Sequence, residues 1–208
     1  MATRPYVSAL RAEAAAEKRE RVIEAAGRYL REEAAIATFS LDAVAKAAGV
    51  TRLTVYNQFG SRRGLLEAVF DEMARRGRLV RIKQAMAESD PRKGLAMLVE
   101  IFCAFWSGDP AITRLHDAMA LDPEFGQALR ERNERRRPAI AKLVDRIVGS
   151  AAPETARRDA TDLIFALTSC AMFRMLANTR SENAVCPIIT DAVQAAVDRI
   201  LPAASRLP

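Results

Sequence analysis

The segment "TRLTVYNQF", Thr51 to Phe59, concentrates side chains suited to reading the edges of nucleic-acid bases. Arg52 presents a planar fork of donors that matches the acceptor edge of guanine. Asn57 presents a donor and an acceptor that match adenine. Leu53 and Thr54 offer methyl groups that suit thymine. Solvated surface is the alternative reading for Asn57 and for its neighbour Gln58.

Such side chains need a short, well-braced helix, and the stretch from Phe39 to Met73 is punctuated to make one. Ser40 can cap a helix over 41–48, whose apolar side is Leu41, Val44 and Ala48. Gly49 is free to close that helix in the left-handed conformation, Val50 plugs the corner, and Thr51 caps a second helix over 52–59. In that helix Val55 and Phe59 face the core, leaving Arg52, Leu53, Thr54, Tyr56, Asn57 and Gln58 for the other faces. This is a helix-turn-helix, whose second helix can be short because a major groove admits only a couple of turns.

An ordinary helical corner is the competing reading, and the charge distribution argues against it. Residues 1–83 carry 16 Lys+Arg against 10 Asp+Glu, whereas residues 84–208 carry 16 of each. The whole excess of +6 therefore lies in the segment with the interrupted helices. That asymmetry points to a polyanion partner for the first segment alone, with a generically basic surface as the bland alternative.

The remaining chain reads as all-α. Period-2 alternation never lasts, no Asn-Gly or Asp-Gly turn occurs, and half of the residues are hydrophobic, enough for a real core. Asp90-Pro91, Asp109-Pro110 and Asp122-Pro123 each place a capping carboxylate before a proline suited to the first helical position. About nine helices are predicted, at 8–33, 41–48, 52–59, 62–86, 91–107, 110–120, 123–149, 154–179 and 184–202. Pro138 should kink or split the seventh. The N-terminal segment lacks the apolar region of a secretory signal and no run is long enough to cross a bilayer, so a cytoplasmic protein without a membrane partner is expected.

Residues 74–208 offer material for a pocket and an interface. "IFCAFWSGDPAITRLHDAMA" gathers Phe102, Phe105, Trp106, His116 and Met119, which could line an apolar cavity with one polar handle or could simply be core. The last two helices carry more apolar surface than one partner helix needs, with small residues at Ala166 and Ser169 and larger ones at Phe173, Ile189, Val193 and Val197. A homodimer interface follows from that excess, and burial within one chain is the alternative.

Other chemistry is thinly represented. There is one histidine, and the three cysteines, Cys103, Cys170 and Cys186, form no CxxC pair. HExxH, GxSxG, GxGxxG and P-loop patterns are all absent, so a helical enzyme is the weaker hypothesis and no metal or cofactor is expected. A cysteine-based redox sensor is a third reading. Cys103 and Cys170 lie in apolar runs, where thiols are usually inert, and Cys186, before Pro187, looks accessible.

"RERVIEAAGRYLREEA" followed by "FSLDAVAKAAGVTRLTVYNQFGSRRGLLEAVF" resembles the DNA-binding domain of TetR-family transcriptional regulators over residues 19–73. The apolar positions, the Ala/Gly/Val turn, the Tyr-x-x-Phe pair and the Ser-basic-x-x-Leu-Leu run coincide in order. The resemblance implies a DNA-binding domain at 1–73 with an N-terminal arm at 1–18, and a ligand-binding and dimerisation bundle at 74–208. It implies a homodimer on a palindromic double-stranded operator, acting as a repressor that an unidentified small-molecule inducer releases, with an activator of the same fold as the alternative. It further implies phosphate contacts from Ser40, Thr51, Tyr56 and Arg62. Two departures stand out. "EEAAIATF" replaces the glycine usual between the first two helices, and Arg62-Arg63 replaces a common Lys-Glu, keeping the phosphate-binding charge and adding another.

Overall fold

A computed structural model of the chain describes residues 4–32 and 36–201, and residues 1–3 of the expected N-terminal arm lie outside them. The elements are α1 (Arg4–Glu32), α2 (Leu41–Ala48), α3 (Arg52–Phe59), α4 (Arg62–Arg76), α5 (Ile82–Ala87) and α6 (Pro91–Gly108). They continue with α7 (Pro110–Leu121), α8 (Pro123–Glu134), α9 (Arg137–Val148), α10 (Glu154–Leu167), α11 (Cys170–Ala177) and α12 (Glu182–Asp198). Short 3-10 turns stand at Ile36–Thr38, Leu79–Arg81 and Gly149–Ala151. The described residues contain no strand, so the fold is all-α.

Three of the nine expected helices are each broken once, which turns nine into twelve among the described residues. The run 62–86 ends at Arg78, whose φ of 54° is left-handed and closes the helix. The run 123–149 splits just before Pro138, as the missing proline N–H dictates. The run 154–179 breaks at Thr168-Ser169, which the sequence reading missed. There the Thr168 hydroxyl donates to the Ile164 carbonyl (2.9 Å), and Ser169 Oγ instead accepts from the Met172 amide (3.2 Å), capping a new helix.

The chain divides into two compact units. One comprises residues up to Met73 together with 110–128, and the other comprises 74–109 with the residues from 129 onward. The expected boundary at 73/74 is thus one of several crossings, because α7 and the first turns of α8 pack with the N-terminal helices. In this first unit α1 lies against α2, α3 and α7. Val22, Ala26, Val44, Val55, Leu66 and Leu115 form its fully buried centre.

In the second unit α6 is the central element, packed by α5, α9, α11 and α12. Pro91 opens α6, and Asp90 caps it by accepting from the amides of Arg92 (2.9 Å) and Lys93 (3.4 Å). The interface expectation is corrected here. Phe173, Ile189, Val193 and Val197 are at most 3% exposed within the single chain, so they are core. Ser169 is spent as a cap, and Ala166 alone of the six stays exposed. The large apolar side chains left outside on these elements are Leu163, Met175 and Ile188.

The break at Thr168 is held by Arg136. Its guanidinium donates to the carbonyls of Thr168 (2.5 Å) and Phe165 (3.3 Å), and Trp106 Nε1 donates to the same Thr168 oxygen (3.0 Å). The rings of Phe165 and Phe102 flank the guanidinium at 4.3 and 5.2 Å from its carbon. Burial pushes the Arg136 pKa down to about 10, so the group stays charged at neutral pH. A planar fork reaches two carbonyls at once, which an ammonium cannot copy. We expect Arg136→Ala to lower stability by about 3 kcal/mol, since it removes charged hydrogen bonds to two carbonyls and the guanidinium packed between two rings, and Arg136→Lys to recover little of that loss. Urea unfolding of the three proteins checks this.

Candidate nucleic-acid interface

Local chemistry builds the two short helices as the sequence predicts. Ser40 Oγ accepts from the Ala43 amide (3.1 Å) and caps α2. Gly49, at φ 65°, ends it, with its own amide directed to Lys46 O (3.3 Å) and the Val50 amide to Ala45 O (3.0 Å). That paired arrangement satisfies carbonyls the helix would leave orphaned, and it suits glycine because φ is positive. Thr51 Oγ1 then accepts from the Thr54 amide (3.1 Å) and contacts the Thr54 hydroxyl (2.9 Å), opening α3. At the other end Gly64 lets α4 start close against α3: a Cβ there would stand 2.1 Å from the Phe59 carbonyl oxygen.

The outer face of α3 is what this bracing presents. Val55 is fully buried and Phe59 half-buried, whereas Arg52, Leu53, Tyr56 and Asn57 are exposed. Leu53 and Tyr56, at 65% and 56% exposure, are large side chains with nothing of their own unit over them. Arg52 makes one ion pair, to Asp42 at 3.5 Å. Both partners are solvated, so exchanging that pair for another acceptor costs under about 1 kcal/mol.

The rear of α3 is tied to α1 by contacts the sequence reading passed over. Arg19 donates to the Gln58 carbonyl (3.1 Å) and lies 4.5 Å above the Phe59 ring, and Gln58 Nε2 donates to the Ala15 carbonyl (3.4 Å). A signal existed. The buried stripe at Val22 and Ala26 extends backward at helical spacing to Arg19 and Ala15. The expected N-terminal arm is therefore, from Ala15 onward, part of what aims α3.

Arg62 is corrected. It was assigned to phosphate, but all three of its nitrogens are engaged within the first unit. Nε donates to Phe39 O (3.0 Å), Nη2 to Ile36 O (3.3 Å) and Nη1 to the Asp122 carboxylate (3.0 Å). Asp122 meanwhile caps α8 through the Phe125 amide (3.0 Å). Arg62 thus replaces the missing corner glycine with a different device. The turn at 36–39 is anchored by Ile36 and Phe39 in the core, by Arg62, and by Tyr29, whose ring meets Phe39 edge-on (5.8 Å) and whose hydroxyl bonds Thr38 Oγ1 (3.0 Å). Arg63 is exposed but paired with Glu67 (2.7 Å) and Glu124 (3.3 Å).

The five expected ligand residues fall in different units. Phe102, Phe105 and Trp106 are buried on α6 in the second, with Trp106 stacked on Phe102 (6.0 Å) and tilted against Phe105 (4.8 Å). His116 and Met119 lie on α7, in the first, each half-buried. The second unit also carries a groove of about 650 Å³ between α9 and α10, rimmed by Glu134, Arg137, Arg157 and Asp162. Its rim charges pair with each other, Arg137 with Glu134 (2.7 Å) and with Asp162. Among the described residues no group of His, Cys, Asp and Glu could hold a metal, and no single helix is long and apolar enough to cross a membrane.

The family model of the bacterial regulatory proteins, tetR family, matches residues 23–69, the span that contains α2 and α3. The chain is also 32% identical over 204 residues to Rv1255c, an uncharacterized HTH-type transcriptional regulator of Mycobacterium tuberculosis, covering 94% of this chain and 96% of that one. The chain belongs to the TetR family. It is a DNA-binding transcriptional regulator of the helix-turn-helix type. Solved structures agree on the fold. A TetR regulator from Haloarcula marismortui superposes with a TM-score of 0.69 at 16% identity, over 90% of this chain and all of that one. NalD, the secondary repressor of the MexAB-OprM efflux pump in Pseudomonas aeruginosa, gives 0.64 at 20% over 88% and 97%. LfrR of Mycobacterium smegmatis, in complex with proflavine, gives 0.56 at 20% over the same shares.

These positions separate two kinds of variant in this TetR-family chain. Arg52→Ala and Asn57→Ala are each expected to relax discrimination at one base position by about 1–3 kcal/mol while leaving thermal stability unchanged. Arg62→Ala is expected to lower stability by about 2 kcal/mol through its lost charged hydrogen bonds. Binding-site selection on randomised duplexes, with melting curves of the same proteins, checks both.

Proposed function

We propose that this TetR-family chain is a homodimeric repressor that grips a palindromic operator with two copies of α3 and is released by a small apolar or aromatic ligand. The observation that carries the DNA half is the outer face of α3, where Arg52, Leu53, Tyr56 and Asn57 project from a helix locked at both ends. One such face spans two turns and reads only a few base pairs, so specificity calls for a second head at a fixed spacing. Ser40 and Thr51, already caps, stand at helix N-termini whose partial positive charge favours phosphate.

The dimer is supported by exposed apolar side chains on α10–α12. Leu163, Met175 and Ile188 are 39%, 71% and 36% exposed, and Ala166, Ala171, Ala184 and Ala195 are small exposed neighbours that permit close helix approach. The ligand half draws on the aromatic cluster of α6 and on relatives: NalD is described as a repressor and LfrR was solved with proflavine. A ligand releases DNA only by binding the non-DNA conformation more tightly.

The chain should sediment as a dimer at micromolar concentration, and Met175→Glu should yield folded monomers with at least tenfold weaker operator binding. Trp106, the only tryptophan, sits in the aromatic cluster and reports on it. A compound that lowers operator affinity should change Trp106 emission over the same concentration range. A well-folded wild-type monomer by sedimentation, or DNA release with Trp106 emission unchanged, would overturn the respective half of the reading.

A further inference from the structure

Cys103 and Cys186 are far apart in sequence, but the second unit brings them together. Cys103 lies on α6 and is 6% exposed, whereas Cys186, in the first turns of α12, is half-buried. α6 and α12 pack against each other, and their ends fix the register. Arg92, in the first turn of α6, donates to Gln194 (2.9 Å) and pairs with Asp198 (2.5 Å) near the far end of α12. Cys103 is about eleven residues further along α6, roughly 16 Å of rise. An antiparallel partner reaches the same level about eleven residues before Gln194 and Asp198, between Asn183 and Pro187, the turn that contains Cys186. The contact agrees with the register: burial pushes the Cys103 thiol up, and a hydrogen bond with the Cys186 thiol adds to the shift.

We propose that Cys103 and Cys186 form an oxidation site in which a hydroperoxide closes an intramolecular disulfide between α6 and α12. Cys186, the more accessible sulfur, attacks the peroxide. The O–O bond breaks, an alcohol or water leaves, and Cys186 becomes a sulfenic acid. The Cys103 sulfur then attacks the Cys186 sulfur, the S–O bond breaks, and water leaves with the Cys103 proton. The two thiols lose two electrons, which reduce one peroxide.

Pro187 favours closure. It has no N–H to offer the Asn183 carbonyl, so the turn of α12 that carries Cys186 is less constrained than a regular helix while the sulfurs reach disulfide geometry. Because Cys103 holds its proton tightly, the second step is slow at neutral pH and quickens as pH rises. The crosslink bears directly on α6, the helix that carries Phe102 and Trp106.

The test uses the reduced full-length chain without DNA, so its result is independent of the operator reading. After hydrogen peroxide treatment and alkylation, non-reducing peptide mapping should find Cys103 joined to Cys186, with free thiols falling from three to one and dithiothreitol restoring all three. Cys170, buried in α11, should remain free, and Cys170→Ala should still form the link. Cys186→Ser, at a half-buried position that tolerates it, should abolish the link, and oxidised wild type should melt above reduced wild type. Three thiols persisting, Cys186 advancing to sulfinic acid while Cys103 stays free, or a Cys186–Cys186 link between chains would each overturn the proposal.

Discussion

A helix that stops inside a protein leaves carbonyl oxygens with no partner, and in this fold an arginine closes the critical stop in each unit. Arg62 binds the carbonyls of Ile36 and Phe39 where the chain turns from α1 into α2. Arg136 binds those of Phe165 and Thr168 where α10 gives way to α11. In each case a guanidinium spans two acceptors that no single amide could reach, with an aromatic ring beside it, Phe39 in one unit and Phe102 and Phe165 in the other. A hydrogen bond to a charged donor contributes about 1.5–3 kcal/mol, a large part of a domain's net stability. The price is two cations that can do nothing else.

That commitment reshapes the charge argument. A net +6 concentrated in the first part of the sequence suggests a broad basic surface, yet Arg62 is spent on the corner, Arg63 on two glutamates and Arg19 on the back of α3. What remains for DNA is narrower and better aimed. Arg52 is exposed with only a solvated aspartate beside it, next to Tyr56 and Asn57 on the same short helix. On the proposed reading, base discrimination falls to Arg52 and Asn57 and phosphate affinity to the helix N-termini at Ser40 and Thr51.

The helix-turn-helix was legible because local rules specify it: Ser40 and Thr51 cap, Gly49 turns, and Val44 and Val55 point inward, all within reach of sequence neighbours. The break at Pro138 was legible for the same reason. The break at Thr168 was not, since its partners Arg136 and Trp106 are about 30 and 60 residues away. Arg62 was misassigned for a related reason. Its neighbours in sequence say "basic, at a helix start", whereas its partners, the carbonyls of Ile36 and Phe39 and the carboxylate of Asp122, are 26, 23 and 60 residues away. The excess apolar surface of α10–α12 was legible, but sequence alone could not say that much of it is covered by α6 and α9 of the same chain rather than by a second copy.

That last point constrains the proposed dimer. With Phe173, Ile189, Val193 and Val197 already inside, the surface left for a partner combines three large apolar side chains with alanines. Alanines contribute little area, about 25 cal/mol for each Å² of apolar surface buried, but they let backbones approach closely and define one crossing geometry. Such an interface fixes orientation more than it maximises affinity. Orientation is what two reading heads require, because each α3 presents only a few side chains and the pair must meet grooves at one set spacing. In the proposed dimer, a helix face suited to geometry at the seam and a helix locked at both ends at the reading head answer the same demand.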